Sequence, residues 1–144
     1  MASNQKAFTF DAATQLKDTG AVTASGNATV ASVAKILDLG TARVDARCIF
    51  DVSAIKTTAT DESYILQVQG SNSSTFASSV VTLASKQLGA AAATGNTAAT
   101  GVGRFELAIC NEDNGTTYRY LRHRYVIAGT SPTITHIAYV VLEA

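Results

Sequence analysis

The stretch RFELAICNEDNGTTYRYLRHRYVIAG, Arg104 to Gly129, holds two runs of alternating character on either side of Asn114-Gly115. In the first run Phe105, Leu107 and Ile109 fall on one side, and Arg104 and Glu106 fall opposite. Alternation with a period of two marks a half-buried strand. Asn-Gly tolerates positive φ at both centres of a tight turn better than almost any other pair. The spacing predicts a β-hairpin that joins 104–111 to 117–128.

The second run concentrates three arginines, a histidine and three tyrosines between Thr116 and Gly129. Strand parity sorts them. Arg119, Leu121, His123, Tyr125 and Ile127 share one face, which turns apolar beyond Arg119 and is assigned to the core. Tyr118, Tyr120, Arg122, Arg124, Val126 and Ala128 share the other. Bases can stack on such a ladder, and a plain solvated face is the bland reading. Tyrosine and arginine are also the residues enriched where proteins grip one another. The outward ladder Tyr118, Tyr120, Arg122 and Arg124 is therefore read as a candidate protein interface.

The rest of the chain follows the same period. In VDARCIFDV (44–52), Val44, Ala46, Cys48, Phe50 and Val52 alternate with Asp45, Arg47, Ile49 and Asp51. YILQVQG (64–70) alternates likewise, and TITHIAYVVLE (133–143) is a long apolar strand that follows the turn at Pro132. AKILDLG (34–40) and SVVTLA (79–84) are shorter candidates. DAATQLKD (11–18) fits either two helical turns capped by Asp11 or an extended arm. Residues 86–103 hold six alanines, four glycines and three threonines, and read as a flexible loop between strands. Many short strands with little helix predict an all-β protein, a jelly-roll-like β-sandwich. The expected organisation is an extended N-terminal arm over 1–20 and a single domain over 21–144.

Composition narrows the function. The chain has 144 residues, one domain's worth, with 11 basic and 11 acidic side chains. Zero net charge argues against a dedicated nucleic-acid partner and lets copies approach without long-range repulsion. Charged residues are only 15% against 47% hydrophobic, so some surface is expected to be covered by a partner. The opening residues lack the apolar stretch of a signal peptide, and no apolar run is long enough to span a membrane. Neither a secretory leader nor a membrane partner is expected.

No catalytic constellation emerges. G-x-S-x-G, the phosphate-binding loop and the dinucleotide fingerprint are all missing. Cys48 and Cys110 are too few and too far apart for a disulfide framework or a zinc site, and are expected to be buried thiols. His123 and His136 show no short ligand spacing. They could meet across neighbouring strands, but are expected to be ordinary strand residues. His123, in register with Leu121 and Tyr125, should be partly buried and hydrogen-bonded, so that its protonation near pH 6 weakens the fold or an interface. Asp61-Glu62 and Glu112-Asp113 flank turns, where acidic side chains serve local hydrogen bonds and solubility. No catalytic residue, metal or cofactor is expected.

Several stretches together resemble a family. ILDLG (36–40) closes an early strand, and LQVQGSNSSTFASS (66–79) is a strand followed by a Ser/Asn-rich turn and a Phe plug. GRFELAI (103–109) precedes YRYLRHRYVIAG (118–129) and a last apolar strand. Their order over roughly 30–142 is similar to the jelly-roll cement, or decoration, proteins of tailed and especially short-tailed bacteriophage capsids. The resemblance implies a non-enzymatic virion protein, assembled in the host cytoplasm, that sits on the outer capsid surface. It further implies homotrimers that clamp neighbouring major capsid proteins. Phe76 matches the plug, and Tyr120, Leu121 and Arg122 match the penultimate strand. His123 departs from the aliphatic residue expected there, and the 86–103 loop is longer than usual. Phe8 and Phe10 could anchor the arm on a neighbour. The alternative is a carbohydrate- or receptor-binding jelly roll of a phage surface, against which the absence of Trp and the 7% aromatic content weigh.

Overall fold

The structure is a computed structural model that describes residues 12–142. After one 3-10 turn at Ala12–Thr14 the chain is strand and turn almost throughout. The strands are β1 (Gln15–Lys17), β2 (Ala21–Val22), β3 (Gly26–Asn27), β4 (Thr29–Val30), β5 (Val33–Ala34), β6 (Leu37–Asp38), β7 (Asp45–Ile55), β8 (Ser63–Ser71) and β9 (Val81–Gly89). A one-turn helix α1 (Ala91–Thr94) leads to β10 (Gly103–Cys110), β11 (Glu112–Asp113), β12 (Thr116–Thr117), β13 (Tyr120–Ala128) and β14 (Ile134–Leu142).

One sheet runs β1-β14-β7-β10, with β2 also on β14; the other runs β3-β13-β8-β9, with β6 also on β13. The pairs β4–β5 and β11–β12 are separate ribbons. Without the ribbons, β2 and β6, the remaining strands in chain order stand first-eighth-third-sixth facing second-seventh-fourth-fifth. Two Greek keys wound this way make a jelly roll, so the expected fold class is the observed one.

The core follows from parity. On β7, Ala46, Cys48, Phe50 and Val52 face inward and lie opposite Ile109, Leu107, Phe105 and Gly103 of β10. From the second sheet come Tyr64, Leu66 and Val68 of β8, Leu88 of β9 and Leu121 of β13. Outside the first sheet, Ile49 is 4% exposed although it faces away from the core. It lies among Arg47, Arg104 and Glu106, under the ion pairs Arg47–Glu106 (3.0 Å) and Arg104–Asp51 (2.8 Å).

Four expectations change in detail. The Asn114-Gly115 turn forms, with φ of 48° and 78°. It closes a ribbon of two residues a side, Glu112↔Thr117 and Asp113↔Thr116, not a long hairpin. β10 and β13 then part into opposite sheets, because each has an apolar face that a long partner strand of its own sheet carries into the core. The stretch 34–40 is broken into β5 and β6. The loop begins later than residue 86, because β9 runs to Gly89 and buries Leu88 opposite Tyr64. Within the span read as an arm, Gln15–Lys17 form β1, and Leu16 is wholly buried. Phe8 and Phe10 lie outside the described residues.

Asn111 holds the point where the sheets part. Its Oδ1 accepts the Val44 amide (2.7 Å), and its Nδ2 donates to Ala42 O (3.1 Å) and Tyr118 O (3.0 Å). The Tyr118 amide also donates to Asn111 O (2.7 Å). A buried amide satisfied in this way pins the base of the ribbon to the loop before β7.

Candidate functional site

The outward face of the second sheet is built on the β13–β8 ladder, where Tyr120, Arg122, Arg124 and Val126 lie opposite Ser71, Gln69, Gln67 and Ile65. Directly opposed residues share a face. Arg122 Nε donates to Gln69 Oε1 (2.9 Å), and Gln69 Nε2 donates to Gln67 Oε1 (3.3 Å). Arg124 Nη1 reaches Asn27 Oδ1 (3.2 Å) on β3.

The turn after β8 folds back onto this face through its own short side chains. Ser73 N donates to Ser71 Oγ (3.0 Å), whose hydroxyl donates to Ser78 O (2.7 Å). Phe76 N donates to Ser73 O (3.0 Å), and Phe76 takes a φ of 55°. Serine and asparagine compete well for backbone groups in this way, which is why they build such turns. The turn delivers the Phe76 ring to the Arg122 guanidinium at 4.4 Å, with Phe76 7% exposed. A cation over an aromatic face is attracted by its quadrupole. Burial, and next the adjacent Arg124 charge, push the Arg122 pKa below its ordinary value.

Tyr120, Arg122 and Arg124 of the expected ladder stand together on this face, each half-buried. Tyr118 does not join them. It precedes β13 and is buried, its Cβ beside Gly70, where an added Cβ would approach it at 3.1 Å. Strand parity fails for Tyr118 because the regular strand begins only at Tyr120. Arg119, placed by parity on the inner face, instead grips Asp38 with two bonds of 2.8 Å. Beside them Asn72 joins the Ser-rich turn to the lead-in of β13, donating to Thr117 O (3.0 Å) and accepting from Arg119 N (3.0 Å). Nothing in the periodicity of 66–79 points to that link.

The other concentration of chemistry is in the core. His123 of β13 and His136 of β14 meet across the sandwich, from facing sheets and not from neighbouring strands. Their Nε2 atoms are 2.8 Å apart. The His123 Nδ1 lies 2.8 Å from Gln67 O, which only accepts, so Nδ1 carries the proton. A neutral His123 then offers Nε2 as acceptor, and His136 Nε2 donates to it. His136 Nδ1 is left buried without a partner. Both rings are closed off, 0% and 1% exposed, with Phe50 at 4.9 Å and Tyr125 at 5.8 Å from the His123 ring.

Burial holds both histidines below their ordinary pKa; for His136 the His123 ring, and for both the Lys17 charge, push the same way. Lys17 is itself buried, its ammonium satisfied by Asp18 O (2.9 Å), Gly20 O (3.0 Å) and His136 O (3.0 Å). Among the described residues no three His, Cys, Asp or Glu side chains are grouped to hold a metal ion. Cys48 and Cys110 are free, and burial raises the Cys48 pKa. The inner pair is thus a structural hydrogen bond out of reach of solvent, whereas the outer face is open to a partner. Neither a family model nor a curated protein sequence matches this chain.

Proposed function

We propose that this chain is a structural virion protein, a cement protein that binds the outside of a tailed-phage head as a homotrimer and clamps neighbouring major capsid proteins. The resemblance over 30–142 motivates the reading. One observation supports it above the others: Phe76 of the Ser-rich turn and Arg122 of the penultimate strand, from the two stretches that carry the resemblance, are in contact at 4.4 Å on an outward face. A shell gains from many individually weak contacts made at once, since linked contacts raise effective affinity without any one being strong. Few charges, eight of them paired in four arginine–carboxylate bridges within the chain, suit dense packing.

The test compares heads with and without the protein, heated until they release DNA. Heads that carry it are expected to rupture at higher temperature. Equal rupture temperatures, together with specific binding on a glycan array, would replace this reading with the receptor-binding module.

A further inference from the structure

We propose that the outward face of β13 receives the acidic tip of a second copy of this chain, with Glu112 and Asp113 of one protomer pairing with Arg122 and Arg124 of the next. This contact deepens the homotrimer of the reading above, and rests on that reading only for the number of copies.

The ionic pairing within the chain points to it. Arg43, Arg47, Arg104 and Arg119 each hold a carboxylate, those of Asp45, Glu106, Asp51 and Asp38. Lys56 stands 3.6 Å from Glu62. Asp61 is bonded to Thr130, and Asp18 to the Ala31 amide. Lys86 lies over the Phe105 ring at 5.7 Å, and of the charges left without an opposite charge among the described residues, Arg122 with Arg124 and Glu112 with Asp113 are the two like-signed pairs close in sequence. Among the described residues Arg122 and Arg124 have only the neutral oxygens of Gln69 and Asn27 and the Phe76 ring. Glu112 and Asp113, both exposed, have no side-chain partner among the described residues.

The geometry suits a contact between copies. The tip is a stiff projection, closed by the tight Asn114-Gly115 turn and pinned at its base by the three side-chain hydrogen bonds of Asn111. A pre-organised element loses little freedom on docking. Adjacent strand residues point to opposite sides, so Glu112 and Asp113 flank the ribbon. Arg122 and Arg124 stand one strand repeat apart, about 7 Å. A ribbon entering edge-on between the guanidinium groups offers one carboxylate to each. Arginine pairs with carboxylate through two parallel bonds, and Gln69 already orients Arg122 by its Nε.

The two patches are different surfaces, so each copy carries one donor and one acceptor. Such a head-to-tail contact closes into a ring when the rotation allows it. Zero net charge leaves no general repulsion to oppose it.

The experiment uses the purified full chain without capsids, its mass followed by light scattering across a concentration series at low and high salt. The wild-type chain is expected to self-associate and to weaken as salt rises. E112K/D113K and R122E/R124E should each lose about tenfold or more in association, and a mixture of the two should regain association between unlike chains, though not a closed ring of three, because an odd ring must hold one contact between like charges. Far-UV circular dichroism confirms folding. If R122E/R124E fails to fold through loss of the Phe76 stack, a combination of E112K/D113K with R124E, which leaves Arg122 in place, is expected to regain part of the association. A monomeric wild type, or an oligomer of unchanged mass in E112K/D113K, overturns the contact and leaves the head-rupture test of the cement reading standing. Binding of a soluble polyanion by a wild type that stays monomeric also overturns it, and marks the face as a general anion site.

Discussion

His123 and His136 are joined by one hydrogen bond, Nε2 to Nε2 at 2.8 Å, that crosses from one sheet of the sandwich to the other. A proton added to His123 Nε2 would set two donors against each other, and one added to His136 Nδ1 would keep the bond but leave a buried charge on an atom without a partner. Lys17 supplies a positive charge at the same place, donating to His136 O. Lys17 has the Asp18 charge nearby, but burial outweighs it, and further cations on the two histidines would be disfavoured by the same burial.

Acid should therefore weaken the fold earlier than carboxylate titration alone would. The unfolded chain takes up protons on both histidines as pH falls through their ordinary value of 6.5, while the native pair stays neutral until well below it. The unfolded state then binds more protons, so stability falls with pH, by about 1.4 kcal/mol per unit for each histidine. Asp38, held at about 2 by Arg119 against an ordinary 3.8, contributes stability that fades only further down. Urea midpoints measured from pH 7.5 to 4.5 are expected to decline from about pH 6.5. A flat profile across that range would mean that both native histidines take up protons as readily as in the unfolded chain.

His136→Leu separates the two histidines. It removes the buried unpartnered Nδ1 but leaves His123 Nε2 without its donor. At pH 7.5 the opposing effects should leave a net loss of about 1–2 kcal/mol. The decline below pH 6.5 should be half as steep as in the wild-type chain, because one proton-linked group is gone. An unchanged slope would mean that His123 alone governs the acid response.

Asn111→Ala should destabilise by about 3 kcal/mol, since it strands the Val44 amide and the Ala42 and Tyr118 carbonyls at a buried junction. Hydrogen exchange is the sensitive readout. Protection should drop first at Thr116–Tyr118, with the centres of β7 and β8 following only through the global loss. Uniform loss everywhere would show that Asn111 holds the whole sandwich and not the ribbon.

Arg122→Ala should cost only about 1 kcal/mol of stability, the worth of a half-exposed cation–π contact plus the stem that covers Phe76. Arg124→Ala should cost less, its one polar partner being the exposed Asn27. Denaturant midpoints with unchanged slopes are expected for both. Losses near 4 kcal/mol would mean that Phe76 depends on the guanidinium to stay buried.

Period two was enough to read the strands, the inner face of β7 from Ala46 to Val52 and the division of β13 into inner Leu121, His123, Tyr125 and outer Arg122, Arg124. Asn114-Gly115 was enough to place a tight turn. These follow from local rules: side chains alternate along any strand, and few residue pairs tolerate two successive positive φ angles. Which strands pair is another matter. The run 104–110 and the run 120–128 have the same alternation on either side of a turn, yet belong to different sheets, because each pairs along its length with a strand far off in the chain, β7 and β8. The same tertiary choice buried Lys17 under backbone carbonyls, laid Phe76 on Arg122, turned Tyr118 inward and brought His123 to His136. Periodicity tells a side chain which way to face; only the burial of the whole sandwich decides what it meets there.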